Sequence, residues 1–592
     1  MTDTTNHLLN NTWIIRYNRS SSDNQKIYKE ILETLSQKEN NYIHPPHSTQ
    51  INLVDFDNPF NPSQFKITQI EKTELPENLL KEINLPQIKR IGLSYPVMSG
   101  DKRWNTISLT SASLFLGSQL TNAHFQVISE KQILPALSID NRFLECHLLG
   151  YTLFEDLFQS YLEFFSYLKE SYTGLIAAGG PMVTLSPLQS AFHLPHIDLL
   201  IRGEAEMVFP KILNALNTNN ISQLLENEGF LFKFPGLIII SELGKINKPN
   251  DFQNIEFNLD FLEKKHFDMG IELNISRGCK RGCIFCSSVQ GKKFRKLPEK
   301  TVENLLTQFR EKQSGMGIDH PHAHTININD DDILQEPQYA KEIFEIIKRT
   351  GFRLWGIQTS VNSLFTPDGL PHKQIIDLID DKLLFVEEKP LLWAGTDAFL
   401  VERGKKLGKL IPSETQLKSL ADLLEKKGIE HYHYWISSDY KSNWNEFTNE
   451  LMLICHLLKN YTRFHIIAHA PFLVPYSTTP LYRLLATSEE TYKQIKFKKI
   501  LSPSNTFFKF PLPLRVETPF LNLNRMLLNE KQGQQMGFFQ YLEEKDFPNL
   551  WICVYNFIKA DRLDSESKRN IELTQELIEL ERELETYISN LL

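Results

Sequence analysis

Apolar and polar positions alternate differently in successive stretches of this chain. Up to residue 86 Asn, Ser, Gln and Thr dominate, and Pro45, Pro46, Pro59, Pro62 and Pro76 break every long run, which predicts a small or irregular leader over 1–86. From Ile88 onward, apolar runs of strand length alternate with amphipathic ones. Strands are predicted at Arg90–Tyr95, Phe125–Ile128, Leu144–Tyr151, Gly174–Ala178 and Asp198–Ile201, with helices at Ser108–Leu120 and Phe154–Lys169. This is the pattern of a parallel sheet covered by helices, so 87–240 is expected to form an α/β, doubly wound (Rossmann-like) domain. Ligands of such sheets bind beyond the carboxyl ends of the strands. Here those ends are the loops Ser94–Gly100, Thr152–Phe154 and Gly179–Gly180.

Residues 241–268 carry Lys, Asn, Asp, Glu and Pro249 with little periodicity and read as a connector. A second alternating series begins at Ile271. Strand-like runs at Glu272–Ile275, Thr325–Asn329, Arg353–Gln358, Leu391–Gly395, His431–Ile436 and Phe464–Ala468 are separated by helical stretches such as Val302–Lys312 and Glu414–Lys427. Six such units predict a partial (β/α)6 barrel over 269–490, with its chemistry at the strand carboxyl ends. The remaining 491–592 is an accessory region, proline-broken and then mostly helical. Its last stretch, Ser567–Leu592, has the leucine and isoleucine spacing of a packing helix with a solvated acidic face.

Length and composition narrow the class. At 592 residues the chain exceeds what one core serves. Its longest apolar runs are far too short to cross a bilayer, and its start lacks a basic segment followed by an apolar core. A cytoplasmic protein without membrane attachment is expected. A net charge of -8 argues against nucleic acid as a partner, despite the local run Lys292, Lys293, Arg295 and Lys296.

Six cysteines are too few for a disulfide scaffold in a chain this long, and three of them fall within eight residues. Cys279, Cys283 and Cys286 stand at Cys-x-x-x-Cys-x-x-Cys spacing directly after a predicted strand. Three thiolates can hold three irons of a cubane and leave the fourth open to an external ligand, the arrangement a catalytic cluster needs. Gly278 and Gly282 let the loop wrap closely. The rival reading is structural zinc, which needs a fourth ligand; Cys146, Cys455 and Cys553 are remote, and His266 stands at no familiar spacing.

With Phe285 just before the last cysteine, this motif resembles that of the radical S-adenosylmethionine superfamily, over roughly 269–490. The resemblance implies a 4Fe-4S cluster on the three cysteines, whose open iron chelates S-adenosylmethionine and whose electron cleaves it to a 5'-deoxyadenosyl radical. It places Phe285 against the adenine, Asp331 and Asp332 near the cofactor's ammonium, Thr396 and Asp397 near its ribose, and Ser437 at the fifth strand end, with Asp439 beside it. For any one of the acids, capping the following helix is the alternative. An external electron donor of flavodoxin or ferredoxin type is also implied.

The doubly wound domain ahead of the barrel is similar to that of the cobalamin-binding branch. Gly179-Gly180-Pro181 follows a buried strand, Thr152-Leu153-Phe154 lies one helix earlier, and Arg202-Gly203-Glu204-Ala205-Glu206 follows the next strand. The resemblance assigns Ser94, Met98, Thr152, Gly179, Gly180 and Glu204 to cobalamin. The chain has no histidine from 48 through 123, so the Asp-x-His-x-x-Gly motif that supplies an axial imidazole is missing. Cobalamin without a histidine ligand is expected, with a corrin-free domain as the other possibility. The function implied is a methyltransferase acting on an unactivated carbon of a small-molecule or peptide natural product; a radical rearrangement or cyclisation is the alternative. Tyr434, Trp435, His433 and His469 fall at strand ends and stand as substrate contacts or as barrel core.

Overall fold

The computed structural model describes residues 11–17, 51–56, 65–71, 74–75, 79–81, 87–98, 107–134, 141–248, 250–380, 382–384, 391–437, 439, 442–467, 476, 479–487, 497–498, 515–516 and 538–591. The amino-terminal half is organised on one ten-stranded sheet. Its strands are β1 (Thr12–Tyr17), β2 (Ile51–Phe56), β3 (Phe65–Ile70), β4 (Arg90–Met98), β6 (Gln126–Leu134), β7 (Leu148–Thr152), β8 (Leu175–Gly179), β9 (Leu199–Ile201), β10 (Phe230–Phe234) and β11 (Leu237–Ser241); β5 (Ile107–Leu109) belongs elsewhere. The order is β3-β2-β1-β11-β10-β9-β8-β7-β4-β6.

Within it β6-β4-β7-β8-β9 run parallel. In chain order this is the 2-1-3-4-5 winding, whose switch point lies between β4 and β7. The inner strands Leu-Ile-Ala-Ala-Gly and Leu-Leu-Ile are apolar throughout because helices and loops cover both faces. One core packs Tyr151, Phe165 and Ile176 on one side, and another packs Leu93, Ala177 and Phe209 on the other.

The expected leader does not stay apart from this sheet. β1 pairs antiparallel with β11, Ile14 opposite Ile239, and carries β2 and β3 beyond it. Its Trp-Ile-Ile run was masked by polar neighbours, and its partner lies more than 200 residues away. Two further expectations shift. Residues Asn141–Leu144 form a short helix before β7, and the helix expected from Ser108 starts at Ser111, capped by the Thr110 hydroxyl.

The second half holds two four-stranded sheets. β12 (Gly270–Leu273), β15 (Thr325–Ile328) and β16 (Arg353–Leu354) form one with β5; β17 (Ile357–Ser360), β18 (Leu391–Asp397), β19 (Glu430–Trp435) and β20 (Phe464–Ile467) form the other. All of these pairings are parallel and follow chain order. The expected third barrel strand is broken into β16 and β17 at Trp355–Gly356. A Cβ on Gly356 would collide with the Trp393 ring, which packs into the break. β5 comes from the amino-terminal half, yet it pairs with β12 and extends the sheet that leads into the cysteine motif. A short hairpin of β13 (Ser276–Arg277) and β14 (Arg295–Lys296) brackets that motif.

The last two helices, Phe547–Ser567 and Ile571–Leu591, pack through Trp551, Val554, Leu577 and Leu584 on the core of this half. Trp444 Nε1 donates to Asp561 at 2.5 Å across that seam. No helix among the described residues is long and apolar enough to cross a membrane.

Candidate functional site

The three cysteines occupy the loop between β13 and β14, and neighbouring strand ends hold that loop from below. Because β15 lies beside β12 in parallel, the residues following β15 arrive directly under those following β12. Asp330 accepts from the Ile275 and Ser276 N–H groups at 2.9 and 2.8 Å and from the Ser276 hydroxyl at 2.6 Å. Asp331 accepts from Gly278 N–H at 3.1 Å and from the Ser288 hydroxyl at 2.8 Å. Asp332 is buried and takes Thr359, Ser363 and Arg281 as partners at 2.6, 2.7 and 3.2 Å. Gln335 closes the frame by donating to the Gly278 carbonyl at 2.9 Å.

Gly278 has φ +92°, and a Cβ there would collide with the Lys293 carbonyl, so the chain can turn into the first cysteine only as glycine. Cys279 N–H donates to the Gly291 carbonyl at 2.9 Å. On the far side, Ile284 N–H donates to Leu407 O and Leu481 N–H to Ile284 O, which docks the loop on the helix Val401–Lys406 and on Pro480–Thr487. Burial pushes the Cys279 and Cys283 thiols up, while Arg281 pulls on both and Lys409 pulls Cys283 down.

The donor set suits a cubane. Among the described residues no three His, Cys, Asp or Glu side chains converge as they would on a single ion. Three thiols in one loop, Cys279, Cys283 and Cys286, match the three protein ligands of a cubane with one iron left open.

A cavity of about 270 Å³ opens beside the loop. Its floor is the carboxyl ends of the parallel strands: Leu93 and Ser94 from β4, Gly150–Thr152 from β7, Ala177–Gly179 from β8 and Ile201 from β9. Its opposite wall comes from the second half, with Glu272 in β12, Asn274 just after it, Asn329 after β15, and Arg277 and Gln290 beside the cysteine loop. Gly179 leaves real space, since a Cβ there meets only the Ile201 carbonyl at 3.6 Å; Gly180, at φ +89°, is needed because Thr152 and Leu153 press on it. Glu272 is buried, accepts from Ser111 N–H at 3.1 Å, and has its carboxyl pushed up by burial.

An ionic clasp joins cavity and loop. Arg277, the residue before Gly278, pairs with Glu204 at 2.8 Å and Glu206 at 2.5 Å, and its guanidinium lies 4.4 Å from the Phe252 ring centre. Arg295, opposite Arg277 in the hairpin, also pairs with Glu204.

The structure therefore sorts the residues singled out from sequence. Ser94, Thr152, Gly179, Gly180 and Glu204 come together around the cavity, although the Glu204 carboxylate is engaged by two arginines. Met98 lies in β4 with its side chain outside the described residues. Phe285 packs half-buried against Ala398, Leu407, Ile411, Ile436 and Leu481. Asp331 and Asp332 serve the loop scaffold, as described above. Thr396 is fully buried, its hydroxyl 2.7 Å from His433 Nδ1, which places both in the interior. Asp397 pairs with Lys409, Ser437 is buried, and Asp439 pairs with the buried Arg403, which also holds Glu450. Trp435 donates to that same Glu450 at 2.7 Å. Trp435 and His433 are thus core residues; His469 lies outside the described residues. Sequence reading missed Glu272, Arg277 and Gln290 as cavity residues, while Asn274 and Asn329 stood in the cysteine motif and at the second strand end without being assigned to the cavity. Only Arg277 carried a signal, by standing next to the cysteine motif.

Comparison with known proteins places this architecture. No family model matches the chain. A methyltransferase of Pyrococcus horikoshii, the uncharacterized protein PH0819, is 26% identical over 199 residues, which span 32% of this chain and 40% of that protein. The cobalamin-dependent S-adenosylmethionine radical enzyme OxsB, solved with aqua-cobalamin, superposes with a TM-score of 0.57 over 94% of this chain and 82% of that one, at 14% identity. The radical S-adenosylmethionine methyltransferase TsrM from Kitasatospora setae, solved with cobalamin and a 4Fe-4S cluster, gives 0.53 over 70% and 82%, at 13% identity. At these identities the likeness is one of fold.

Proposed function

We propose that this chain is a cobalamin-dependent radical S-adenosylmethionine enzyme that methylates an unactivated carbon of a small-molecule or peptide natural product. The reading is carried by one observation: a single cavity touches both the carboxyl ends of the doubly wound sheet and the residues flanking a three-cysteine loop. That fold is shared with enzymes whose structures hold cobalamin and, in TsrM, a 4Fe-4S cluster.

When bound, the cluster supplies an electron to S-adenosylmethionine and the cobalamin supplies a methyl carrier. Cys279, Cys283 and Cys286 would hold the cluster, in a loop shaped by the turn at Gly278 and braced by the hydrogen bonds of Asp330–Asp332. Ser94, Thr152, Gly179 and Gly180 line the part of the cavity that would take the corrin, where Gly179 leaves the space of a side chain free. Phe285, packed on the cluster of Ala398 and Leu407, and Asp397, paired with Lys409, would be the contacts of the nucleoside. The histidine-free connection between β4 and the helix Ser111–Asn122 supports a cobalt without a protein imidazole.

The test is anaerobic reconstitution followed by iron, sulfide, zinc and corrin analysis, then incubation with S-adenosylmethionine and reductant. Iron and corrin in the protein, with both 5'-deoxyadenosine and S-adenosylhomocysteine formed alongside a methylated product, support the reading. 5'-Deoxyadenosine without S-adenosylhomocysteine selects a rearrangement or cyclisation instead, and zinc in place of iron ends the proposal.

A further inference from the structure

The two faces of the second-half sheets differ in kind. Ile326, Ile357 and Leu392 belong to the helix side, where they share one core with Leu306, Ile343 and Leu424. Side chains alternate along a strand, so the positions between them stand on the opposite face. There the register lines up Gln358, Trp393, Tyr432 and His465 as one row across β17, β18, β19 and β20. Glu272 and Asn327 stand opposite each other in the same way on the neighbouring sheet, and Glu272 walls the cavity. An aliphatic core thus backs a face of rings and amides.

The rings of the row are held apart. Trp393 leans toward the break before β17, its ring lying where a side chain on Gly356 would begin. Tyr432 leans the other way and stacks on His465, with ring centres 4.5 Å apart and 17° between the planes. His465 is fixed in turn by Glu430, 2.6 Å from its Nε2, and Glu430 by Arg463 at 2.8 Å. Trp393 and Tyr432 are direct neighbours in the register, yet their rings do not meet.

Packing alone does not account for this face. Trp435, Trp444 and Trp551, which fill the core, are fully buried, whereas Trp393 and Tyr432 are half-buried and Gln358 is exposed. Among the described residues Trp393 makes no ring contact, its indole N–H has no acceptor, and the Gln358 side chain has no protein partner. Aromatic faces pair with other flat rings, and two donors without acceptors suit a ring that carries one.

We propose that this row is the substrate subsite and that it takes a planar aromatic or heteroaromatic group bearing a hydrogen-bond acceptor, seated between the Trp393 and Tyr432 rings. This subsite belongs to the function proposed above, on which it rests, and gives that function a substrate class. The nucleoside does not compete for it. Trp393 precedes Asp397 by four residues, about 13 Å of strand, so the row lies deeper than the strand ends.

The experiment uses the reconstituted full chain without reductant, saturated with S-adenosylmethionine so that the nucleoside contacts are filled. Two neutral probes of one skeleton, 2-naphthol and decahydro-2-naphthol, are titrated by calorimetry. The flat ring is expected to bind the wild type at least about fivefold more tightly than the saturated one, the size of one or two ring contacts. Trp393→Ala and Gly356→Ala, the second of which pushes the indole off its seat, should each erase that preference, and Trp393→Phe should keep most of it. Gly356→Ala retains every aromatic side chain, so it decides the matter should Trp393→Ala fail to fold. Equal or undetectable binding of the two probes by the wild type, or a preference that survives both alanine variants, would overturn the proposal. So would loss of naphthol on adding S-adenosylmethionine, which would assign the row to the adenine. Iron and corrin analysis of the same preparation reads the other claim separately: a chain that keeps the naphthol preference but loads neither cofactor defeats the proposed function and leaves the aromatic site standing.

Discussion

The cysteine loop and the cavity beside it are built by opposite means. The loop is short and local: thirteen consecutive residues, Asn274 to Cys286, carry all three thiols and the glycines that bend the chain, and only its carboxylate props come from the next strand. The cavity has no local identity. It is assembled from the ends of four parallel strands and from residues nearly 180 positions further on, and it exists because two halves of the chain close on each other. A site of the first kind can be lost by one atom. One of the second kind is lost by moving a wall, and Arg277 is where the two meet.

Replacing Cys283 with alanine should have the largest effect and the most one-sided one. Iron content after reconstitution should fall to background and 5'-deoxyadenosine formation should vanish, while corrin content stays within about twofold, because no thiol lines the cavity. Loss of both cofactors together would show that the sites are not separable. Arg277→Ala should injure both. It leaves the buried Glu206 without its ion partner and the half-buried Glu204 with Arg295 alone, so urea unfolding should show a loss of about 3–5 kcal/mol, with iron and corrin both reduced.

Gly278→Ala forces a side chain into φ +92° against the Lys293 carbonyl. A cost of about 1–3 kcal/mol is expected, with lower iron loading and unchanged corrin. A subtler check concerns the doubly wound half alone. Lys233 is buried with Nζ 2.7 Å from the Ala191 carbonyl, and burial pushes its ammonium down to about 7 from 10.5. Between those values the unfolded chain holds the extra proton, so this group makes the fold more stable as pH rises from about 7 toward 10.5. The melting temperature of the wild type relative to Lys233→Met should therefore climb between pH 7 and 9.5, and a flat difference would refute the titration. The smallest change in stability belongs to Gly179→Leu. With only one neighbour at 3.6 Å the substitution should shift stability by no more than about 0.5 kcal/mol, yet fill the space above β8 and strip corrin from the protein.

Much of this is legible in the sequence alone. The parallel strands β4, β6, β7, β8 and β9 announced themselves as apolar runs between amphipathic helices, and the loops at their carboxyl ends were identified as a binding edge. Other features were not. β1 looked like part of an irregular leader because six residues flanked by Asn and Ser carry no period of their own; its partner β11 supplies the context. Asp331 and Asp332 read as cofactor contacts or helix caps, and the folded chain adds a use no local pattern records, because they also bond Gly278 and Arg281 of the cysteine loop. Thr396, expected near the ribose, is fully buried with its hydroxyl against His433 on β19.

What the chain alone determined is whatever adjacent residues can encode: the alternation of periods 2 and 3.6 that specifies an α/β architecture, and the spacing of three thiols with the glycine that admits them. What only the tertiary structure decided is which distant groups share a space. The pairing of Arg277 with Glu204 and Glu206, the insertion of β5 beside β12, and the cavity between the halves depend on contacts between residues some seventy to more than one hundred and sixty positions apart. No local pattern records such contacts, because their free energy arises only when burial brings the partners together and removes the water between them.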